Sequence, residues 1–425
     1  MNEKLLTKLR ILAASAKYDA SCASSGTDRR NTPGGIGNAA AAGICHSFTD
    51  DGRCVSLLKI LYTNHCLFDC AYCVNRRSND LPRTSFTVRE LVELTLEFYR
   101  RNYIEGLFLS SAVAVSPDHT MERMIRVVQL LRATHAFNGY IHMKSIPGAS
   151  RELVLQAGLY ADRLSVNVEI PSERNLKRLA PEKDHKQIYE PMRHIQQGQI
   201  ENFEERKKSR HAPRFVPAGQ STQMIIGASD ERDTDILKTS SLLYSGLGLK
   251  RVYYSAFIPV NAYDTRLPAV SAAPLARENR LYQADWLMRL YHFSADELAD
   301  DAHPYLDPEI DPKLAWALRH PEYFPCDANT ADYSRLLRIP GVGLRSAQRI
   351  IAARRHCRLD ARELARMGVV MKRAKYFLRC NGTDAPGIQE AGPATIRNIL
   401  RDGKKNLKRP CQFSLFAAGE TAAAH

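Results

Sequence analysis

Residues Cys66-Leu67-Phe68-Asp69-Cys70-Ala71-Tyr72-Cys73 determine how this 425-residue sequence is interpreted. Three cysteines follow one another in a C-x3-C-x2-C spacing on one short segment. Cysteine thiolates are the usual ligands of iron–sulfur clusters, and three of them would hold three irons of a [4Fe-4S] cluster. The fourth iron is then open to a small molecule. We therefore expect a site of chemistry at this segment and not a closed electron-transfer centre.

Two simpler interpretations of the cysteines compete with a cluster. A zinc site usually combines two C-x2-C-like pairs to reach four tetrahedral ligands, and no second pair follows Cys73 at a usable distance. Three unrelated buried thiols would suit a core strand, whereas Asp69 and Asn75 suit a loop. The spacing favours the cluster, with Cys66, Cys70 and Cys73 as its ligands.

The composition indicates a globular protein, because its hydrophobic fraction of 44% is ordinary for that class. Charges interrupt the apolar residues at the N-terminus, and no stretch reaches the roughly 20 apolar residues of a membrane span. We therefore expect a cytoplasmic protein without a membrane partner. In a reducing compartment, its 10 cysteines are better explained as metal ligands or buried thiols than as disulfides.

The positive charge is concentrated near the C-terminus. Residues 331–425 contain 19 Lys and Arg but only 7 Asp and Glu. Residues 1–330 contain 41 Lys and Arg and 39 Asp and Glu. A solvated surface does not explain why the imbalance is confined to one end. The pattern predicts a near-neutral body joined to a polyanion-binding end.

Between these two regions the sequence alternates short apolar runs with amphipathic helical patterns. The predicted strands are 57–62, 106–109, 140–144, 163–168, 223–226 and 251–257. The predicted helices between most of them include 88–101, 121–134, 151–157 and 234–245. Six such βα units predict a parallel, barrel-like sheet, whose sites lie at the carboxyl ends of the strands. The cysteine segment follows the first strand and so faces the barrel mouth.

The cysteine spacing, with an aromatic residue before the last cysteine, resembles the radical S-adenosylmethionine (radical SAM) superfamily. In that superfamily SAM chelates the open iron, and one electron from the cluster splits SAM to give a 5′-deoxyadenosyl radical that abstracts hydrogen from a substrate. The resemblance implies an α/β fold with a partial (βα)6 radical SAM barrel, and an electron donor such as flavodoxin or ferredoxin.

The resemblance and the strand ends together give candidate SAM-binding residues, each of which could instead be a barrel-rim residue without a catalytic role. They are Tyr72, Gln223 and Gly227 near the adenine, Ser110 and Ser111 at the methionyl amino group, Asn167 and Glu169 at the ribose or the methionyl end, and Arg174 and Lys183 at the carboxylate.

The segment before the barrel is rich in Ser, Gly, Asn and Ala and has weak secondary-structure signals. This segment, residues 20–43, contains Cys22, and Cys45 and Cys54 follow it. One interpretation is a flexible strap in which these cysteines are incidental. The other is that they form an auxiliary iron–sulfur site or present a thiol to the substrate. Their spacing matches no ligand pattern that decides between the two.

Residues 336–350 read LLRIPGVGLRSAQRI and predict a helix, a tight turn and a second helix. This pattern resembles the helix-hairpin-helix motif of DNA repair and processing proteins, and Met367-Gly368-Val369 resembles a degenerate second hairpin. The alternative is a plain helical hairpin with a glycine turn. The predicted DNA-contacting residues are Gly341, Gly343, Arg345, Arg349, Lys372, Arg373 and Lys375.

The end of the sequence predicts a basic, mostly disordered tail from residue 383. Within it, Gln412-Phe413-Ser414-Leu415-Phe416 resembles the short peptide by which bacterial DNA-processing enzymes dock into the replication sliding clamp. Gln412, Leu415 and Phe416 would make that contact.

These features predict five segments: an N-terminal strap (1–54), the barrel (55–276), a helical connector (277–325), an all-α helix-hairpin-helix domain (326–382) and the tail (383–425). Together with the segment from Lys17-Tyr18-Asp19 to Cys54, they resemble a bacterial family of radical SAM proteins associated with DNA modification or repair. That family is often encoded beside a uracil-DNA-glycosylase-like protein.

The resemblance implies a radical SAM enzyme that modifies or repairs a nucleotide in duplex DNA. Two alternatives stay open. One is a radical SAM enzyme that modifies RNA bases, and the other is a non-catalytic iron–sulfur scaffold or redox sensor that recruits a DNA glycosylase.

Overall fold

The apolar runs of the barrel region form strands that lie side by side in chain order. The computed structural model describes residues 3–16, 23–24, 44–48, 54–270, 272–382 and 386–401. Eight strands form one sheet in the order β1 to β8. They are β1 (Ala23–Ser24), β2 (Ile44–Phe48), β3 (Cys54–Leu61), β4 (Gly106–Ser110), β5 (Tyr140–Lys144), β6 (Arg163–Ser165), β7 (Gln220–Ile226) and β8 (Arg251–Ala256).

Strands β3 to β8 are parallel, and β2 and β1 extend the sheet in antiparallel order from β3. The register pairs Leu61 with Ser110 and Leu109 with Met143, so the carboxyl ends of these strands lie along one edge. The six parallel strands curl into a half-barrel, which confirms the predicted partial (βα)6 barrel. The cysteine segment follows β3 at the edge where parallel barrels form their sites.

Helices join the parallel strands and cover the sheet. They are α1 (Glu3–Ala16), α2 (Val88–Arg100), α3 (Pro117–Gln129), which continues as a π-helix (Leu130–Thr134), α4 (Arg151–Tyr160), α5 (Glu173–Leu179), α6 (His185–Lys208) and α7 (Asp233–Leu247). The start of α2 shows how the sequence sets these boundaries. The Thr87 hydroxyl accepts the N–H of Glu90 at 3.1 Å, and the Glu90 carboxylate accepts the N–H of Thr87 at 2.7 Å. This capping box satisfies two amide groups that the helix itself cannot.

Strand β4 shows why a core strand of the barrel has a continuous apolar sequence. All five of its residues, Gly106 to Ser110, are buried. Strands of a parallel sheet are covered on both faces and so lack the alternation of half-exposed strands. Gly106 starts β4 at a close approach, because a Cβ there would lie 2.2 Å from the carbonyl oxygen of Tyr140. A glycine is therefore required at that position.

Two strands differ from the prediction in length. The predicted strand 163–168 is regular only over β6, since the Thr222 hydroxyl, and not a backbone carbonyl, accepts the N–H of Val168 at 2.9 Å. The predicted strand 223–226 begins earlier, at Gln220. Its first residues are polar but buried, and the Gln220 side chain donates to two backbone carbonyls at 3.1 and 2.7 Å. Polar side chains in a buried strand thus hid the start of β7 from a pattern based on hydrophobicity.

The C-terminal region is helical. Its elements are α8 (Leu275–Tyr291), α9 (Ala295–Leu298), α10 (Pro312–Arg319), a 3-10 turn (Pro321–Tyr323), α11 (Tyr333–Arg338), α12 (Leu344–Ala353), α13 (Ala361–Arg366), α14 (Met371–Ala374), α15 (Ile388–Ala391) and α16 (Pro393–Leu400). Strands β9 (Cys326–Asp327) and β10 (Leu378–Arg379) form a short parallel pair within it.

The described residues divide into two compact units. One holds the described residues up to 230 together with 242–274, and the other holds 231–241 and the described residues from 275 onward. The five-segment division made from the sequence stays a prediction. None of the helices described is long and apolar enough to cross a membrane.

Candidate active site

The three cysteines of the C-x3-C-x2-C segment line one cavity at the carboxyl ends of the barrel strands. The cavity has a volume of about 190 Å³, and Cys66, Cys70 and Cys73 form part of its wall. Cys70 is buried, and the other two are half-buried. We call residues 66–73 the cysteine loop. Its position after β3 follows from the sequence, since it begins five residues beyond the last residue of that strand, Leu61.

The surroundings of the thiols fit cluster ligands. Burial raises the pKa of the Cys70 thiol to about 11 and that of the Cys73 thiol to about 12. Such thiols stay protonated at neutral pH unless a strong positive charge replaces the proton, and metal-coordinated thiols are deprotonated outright. In the part of the chain that the structure describes, no group of three or more His, Cys, Asp or Glu side chains is placed to hold one metal ion. A cluster, unlike a single zinc ion, distributes its thiolates over several irons.

Two side chains from elsewhere hold the backbone of the cysteine loop and of the residues on either side of it. The amide Nδ2 of Asn261 donates to the carbonyls of Ala71 at 2.7 Å and Cys73 at 3.0 Å. The guanidinium of Arg83 donates to four backbone carbonyls on either side of the cysteines, at 2.6 to 3.2 Å; they belong to Asn64, Asn75, Arg76 and Asn79. A loop without regular secondary structure is thereby fixed in one conformation, as a cluster site requires.

Most of the predicted SAM-binding residues lie in the same cavity as the cysteines. The structure brings together Tyr72, Ser110, Ser111, Asn167, Glu169, Lys183 and Gln223. They come from the cysteine loop, from the ends of β4 and β6, from the middle of β7, and from the segment after α5. Their grouping supports one polar binding site beside the cysteines.

Lys183 and Glu169 form an ion pair in this cavity. Their charged atoms lie 3.7 Å apart, and each side chain is only 12% exposed. Burial alone would lower the pKa of Lys183, but its interactions with Tyr72, Cys70 and Glu169 outweigh burial and raise that pKa well above its usual value. Burial also raises the pKa of Tyr72 well above its usual value. At neutral pH the site therefore holds the ammonium of Lys183 and the neutral phenol of Tyr72, whose oxygen lies 3.4 Å from Lys183 Nζ.

Backbone strain places the carboxylate of Glu169. Its φ of 65° is in the left-handed region, which is unusual for a residue other than glycine. Its N–H donates to the carbonyl of Gln223 at 2.9 Å, and its carbonyl accepts the N–H of Ile225 at 2.7 Å. These two bonds to β7 hold the strained residue at the rim of the cavity.

Unused hydrogen-bonding groups in the cavity wall fit a polar ligand. Among the described residues, Ser110 Oγ, Ser145 Oγ and Asn75 Oδ1 are buried and have no hydrogen-bond partner. A buried polar group without a partner costs free energy, on the order of 1 to 3 kcal/mol. SAM, with its amino, carboxylate and hydroxyl groups, can supply such partners.

Two of the predicted SAM residues lie elsewhere. Arg174 is exposed on α5 and does not line the cavity, because it is on the face of that helix opposite the buried Asn175 and Leu176. Gly227 does not line the cavity either, and its φ of 86° and the nearby Pro274 give it a role in turning the chain after β7.

The sequence prediction missed several residues of the site. Lys144 and Ser145 line the cavity after β5, and Ser255 lines it from β8. The signal for Lys144 and Ser145 was available, since strand 140–144 was predicted and its end obeys the same rule as the others. No sequence pattern points to Asn261.

The predicted DNA-contacting residues fall on two helical hairpins in the unit that holds the described residues from 275 onward. The first joins α11 to α12 through Gly341, and the second joins α13 to α14 through Gly368, with φ values of 94° and 89°. The N–H of Val370 donates to the carbonyl of Gly341 at 2.9 Å and links the two turns. Gly343 precedes α12 as its N-terminal cap residue.

The charged side chains of these hairpins differ in how accessible they are to a DNA phosphate. Arg345, Arg349 and Lys372 are exposed, and Lys375 is half-buried beside the ring of Tyr376. Arg373 instead forms an ion pair with Asp311, so its charge is already compensated within the protein.

Several predicted residues fall on parts that are not described. Cys22, Gln412, Leu415 and Phe416 lie outside the described residues. Cys45 and Cys54 belong to the paired strands β2 and β3, with their side chains outside the description. The auxiliary-cluster and clamp-binding hypotheses therefore stay predictions.

A half-barrel with a three-cysteine loop at its strand ends is the architecture of an iron–sulfur-dependent enzyme. The sequence model of the Radical SAM superfamily matches residues 60–207, which run from β3 through the cysteine loop into α6. These residues thus form a radical SAM domain, the domain of enzymes that use a [4Fe-4S] cluster and SAM. This confirms the enzyme class and the two cofactors predicted from the cysteine spacing.

Several solved structures resemble about half of this chain. A crystal structure of HydG, a maturase of the [FeFe]-hydrogenase, shares 15% sequence identity with this chain at a TM-score of 0.41. The match covers 54% of this chain and 48% of the HydG chain. The HydG structure from Carboxydothermus hydrogenoformans shares 12% sequence identity at a TM-score of 0.43, and the match covers 54% of this chain and 50% of the HydG chain. Methylornithine synthase (PylB) shares 13% sequence identity at a TM-score of 0.39, and the match covers 54% of this chain and 60% of the PylB chain.

The chain spans about half the length of the two HydG structures that it matches. No curated protein sequence matches it at a significant level.

Proposed function

We propose that this protein is a radical SAM enzyme that modifies or repairs a nucleotide in DNA. When bound, the cluster and SAM supply a 5′-deoxyadenosyl radical that abstracts hydrogen from a C–H bond which acid–base chemistry cannot activate. The chain's own residues support this role. Asn261 and Arg83 hold the cysteine loop, and the Lys183–Glu169 pair provides both charges needed to orient an amino acid group of SAM.

The observation that carries the DNA part of the proposal is the pair of linked helical hairpins. Gly341 and Gly368 turn the chain in the same way, and a backbone hydrogen bond joins the turns. The first hairpin leads into α12, a helix of 10 residues with Arg345 and Arg349 exposed. N–H groups at a helix start and nearby cations fit DNA phosphates. This arrangement supports the helix-hairpin-helix interpretation.

The remaining partners follow from the same proposal. The excess of Lys and Arg over Asp and Glu in residues 331–425 favours a polyanion. We further propose that residues 412–416 bind the sliding clamp, that a uracil-DNA-glycosylase-like protein acts with this enzyme, and that flavodoxin or ferredoxin reduces the cluster. All of these belong to the cytoplasm.

Anaerobic reconstitution of the wild-type protein and of Cys70→Ala tests the chemistry. Both proteins receive iron, sulfide, SAM and dithionite, and 5′-deoxyadenosine is quantified by mass spectrometry with duplex DNA, single-stranded DNA, RNA or no addition. We expect product only from the wild type, and more of it with DNA. Stimulation by RNA alone would favour the RNA-modifying alternative. No product from a verified, reduced cluster would favour the scaffold.

Salt-dependent DNA binding of the full chain tests the hairpins separately. The double variant Arg345→Ala, Arg349→Ala should reduce the slope of log affinity against log salt by about two, because each phosphate contact contributes roughly 0.9. The control is Arg100→Ala with Lys186→Ala, two exposed cations of the barrel unit. An equal loss in both double variants would show that the hairpins are not the DNA-binding element.

A further inference from the structure

Another cavity lies within the helical unit, the unit that holds the described residues from 275 onward. Its volume is about 220 Å³, and its wall comes from α9, α10, the 3-10 turn, β9 and α11. That volume is below the roughly 300 to 1,000 Å³ of the clefts that hold drug-sized ligands. The cavity therefore fits a single planar ring system and not a whole nucleotide. We call it the ring cavity.

The inner wall of the ring cavity is aromatic. Trp316 and Phe324 line it, and both side chains are buried. Their rings meet edge to face with centroids 6.2 Å apart, and Phe324 packs in the same way on Phe377 at 5.1 Å. Rings that are fixed by such contacts hold the shape of the cavity and give it a flat, apolar inner surface.

A further aromatic ring at the cavity is fixed but half-exposed. Tyr323 is 47% exposed, although the centroid of its ring lies 5.4 Å from that of Trp316 and 5.9 Å from that of His320. Its backbone is held as well, because its carbonyl accepts the thiol of Cys326 at 3.2 Å. A tyrosine that other rings already hold can present its remaining surface to a ligand at little cost in conformational entropy.

The charges of the cavity wall leave one guanidinium for a ligand. Arg338 is compensated by Glu297 at 2.8 Å. Arg335 is exposed, forms no ion pair with the described residues, and makes one long hydrogen bond, to the carbonyl of Tyr323 at 3.4 Å. The carboxylate of Asp332 instead accepts the backbone N–H of Arg335 at 2.7 Å. A guanidinium carries five N–H donors, so Arg335 can donate to a ring that lies beside Tyr323.

We propose that the ring cavity binds one unstacked base of DNA. Tyr323 stacks on the base, and Arg335 donates hydrogen bonds to acceptor atoms on its edge. Proteins hold bases that have left a duplex by these two means, stacking on aromatic side chains and hydrogen bonding to the base edge. The small volume of the cavity and its aromatic wall match a base, and the donor at its rim matches the ring nitrogens and carbonyl oxygens that bases carry.

This inference deepens the proposed function and rests on it for the identity of the nucleic acid. It specifies the substrate as DNA with an unpaired or displaced base. The helix that carries Arg335, α11, leads directly into the first hairpin at Gly341. The cavity and the predicted phosphate-contacting turn therefore share one helix, and a duplex held by that turn lies near the cavity.

Equilibrium binding of DNA to the cluster-loaded full chain tests this assignment. The probes are two duplexes of the same sequence, one fully paired and one with an added, bulged 2-aminopurine, whose fluorescence falls when that base stacks. We expect the wild type to bind the bulged duplex about tenfold more tightly, as base–aromatic stacking provides, and to quench the probe. Tyr323→Ala and Arg335→Met should each remove most of this preference. Tyr323→Phe should keep it, because the ring is retained.

Two control variants separate this site from other DNA contacts. Tyr305→Ala removes a tyrosine of the same unit that is 55% exposed and lies outside the wall of the ring cavity, so the preference should stay. Arg349→Ala removes a predicted phosphate contact. It should weaken binding of both duplexes equally and leave their ratio unchanged.

Each outcome decides a different point. A wild type that binds the two duplexes equally, or a Tyr323→Ala variant that keeps the preference, overturns the site. If neither duplex binds, the same variants are compared on a single-stranded RNA that carries 2-aminopurine. Quenching that depends on Tyr323 then keeps the base site and rejects the DNA function, whereas no quenching overturns both. If Tyr323→Ala fails to fold, Arg335→Met and Tyr323→Phe provide the same comparison.

Discussion

Asn261 Nδ2 lies 3.0 Å from the carbonyl oxygen of Cys73, a residue 188 positions earlier in the chain. The same amide donates to the carbonyl of Ala71, and its oxygen accepts a hydrogen bond from Asn79 at 2.9 Å. Asn261 follows β8, whereas the cysteine loop follows β3. These are the first and last parallel strands of the half-barrel. One buried side chain therefore ties the cysteine loop to the opposite edge of the parallel sheet.

Replacing this amide should loosen the cluster. Asn261→Asp removes the donor and places a carboxylate against two carbonyl oxygens, so the loop loses two hydrogen bonds and gains a repulsion. We expect the reconstituted protein to lose iron to a chelator about tenfold faster. The control is Asp264→Asn in the same segment, which keeps an acceptor for Arg76 and Arg266. Equal rates of iron loss in the two variants would contradict the role of Asn261.

The Lys183–Glu169 pair should matter for SAM affinity. Lys183→Met removes the cation that pairs with the mostly buried Glu169 carboxylate. A buried charge without a partner is unfavourable, so a ligand that is oriented by this ion pair should bind less well. We expect SAM to bind at least about tenfold more weakly, as measured by isothermal titration calorimetry of the cluster-loaded protein. Arg174→Met is the comparison, because Arg174 is exposed and outside the cavity wall. If both variants bind SAM like the wild type, the pair does not contact SAM.

The barrel and its cysteine loop could be predicted because their signals are local. A parallel strand that is buried on both faces, such as β4, gives an apolar run, and the three thiols lie within eight residues. The polar residues at the ends of β4 and β6 were found by one rule, that sites lie at the carboxyl ends of strands, whereas Gln223 lies within β7. The same rule, applied to β5, would have found Lys144 and Ser145.

The rest of the site depends on contacts that no local pattern records. Asn261 reaches a loop nearly 190 residues away, and nothing in its neighbourhood distinguishes it from an ordinary loop asparagine. Arg174 was selected because it lies just beyond the fourth predicted strand, but α5 directs it to solvent. Whether a cation is available also depends on its partner, as Arg373 shows by pairing with Asp311.

The turn of the first helical hairpin requires a glycine. Gly341 has a φ of 94°, and a Cβ there would lie 2.7 Å from the carbonyl oxygen of Val370. Gly341→Ala should therefore destabilise the full chain by about 1 to 2 kcal/mol in urea unfolding and weaken DNA binding. Gly387→Ala is the matched control, because Gly387 has a φ of −66° and open space around it. Equal stability of the two variants would show that the turn tolerates a side chain.

The buried Lys313 predicts a pH dependence of stability. Its ammonium donates to the carbonyl of Val342 in the first hairpin at 2.6 Å and lies 4.8 Å from the ring of Tyr291. Burial lowers the pKa of Lys313 to about 7; Asp311 opposes this effect, whereas Arg373 and Arg338 add to it. An unfolded chain has a lysine pKa of about 10.4 and thus binds more protons than the folded chain between these values. The contribution of Lys313 to the free energy of unfolding is therefore complete above about pH 10.4 and is lost as the pH falls to about 7.

Lys313→Met should remove this dependence. The free energy of unfolding of the full chain, measured in urea from pH 6.5 to pH 9.5, should rise more steeply in the wild type than in the variant, by at most about 1.4 kcal/mol per pH unit. Lys372→Met, at an exposed lysine of the second hairpin, should leave the slope unchanged. Parallel curves for the wild type and Lys313→Met would mean that Lys313 titrates at its ordinary pKa. Its hydrogen bond to Val342 would then hold an ammonium throughout this range, and the hairpin would keep a permanent positive charge beneath its turn.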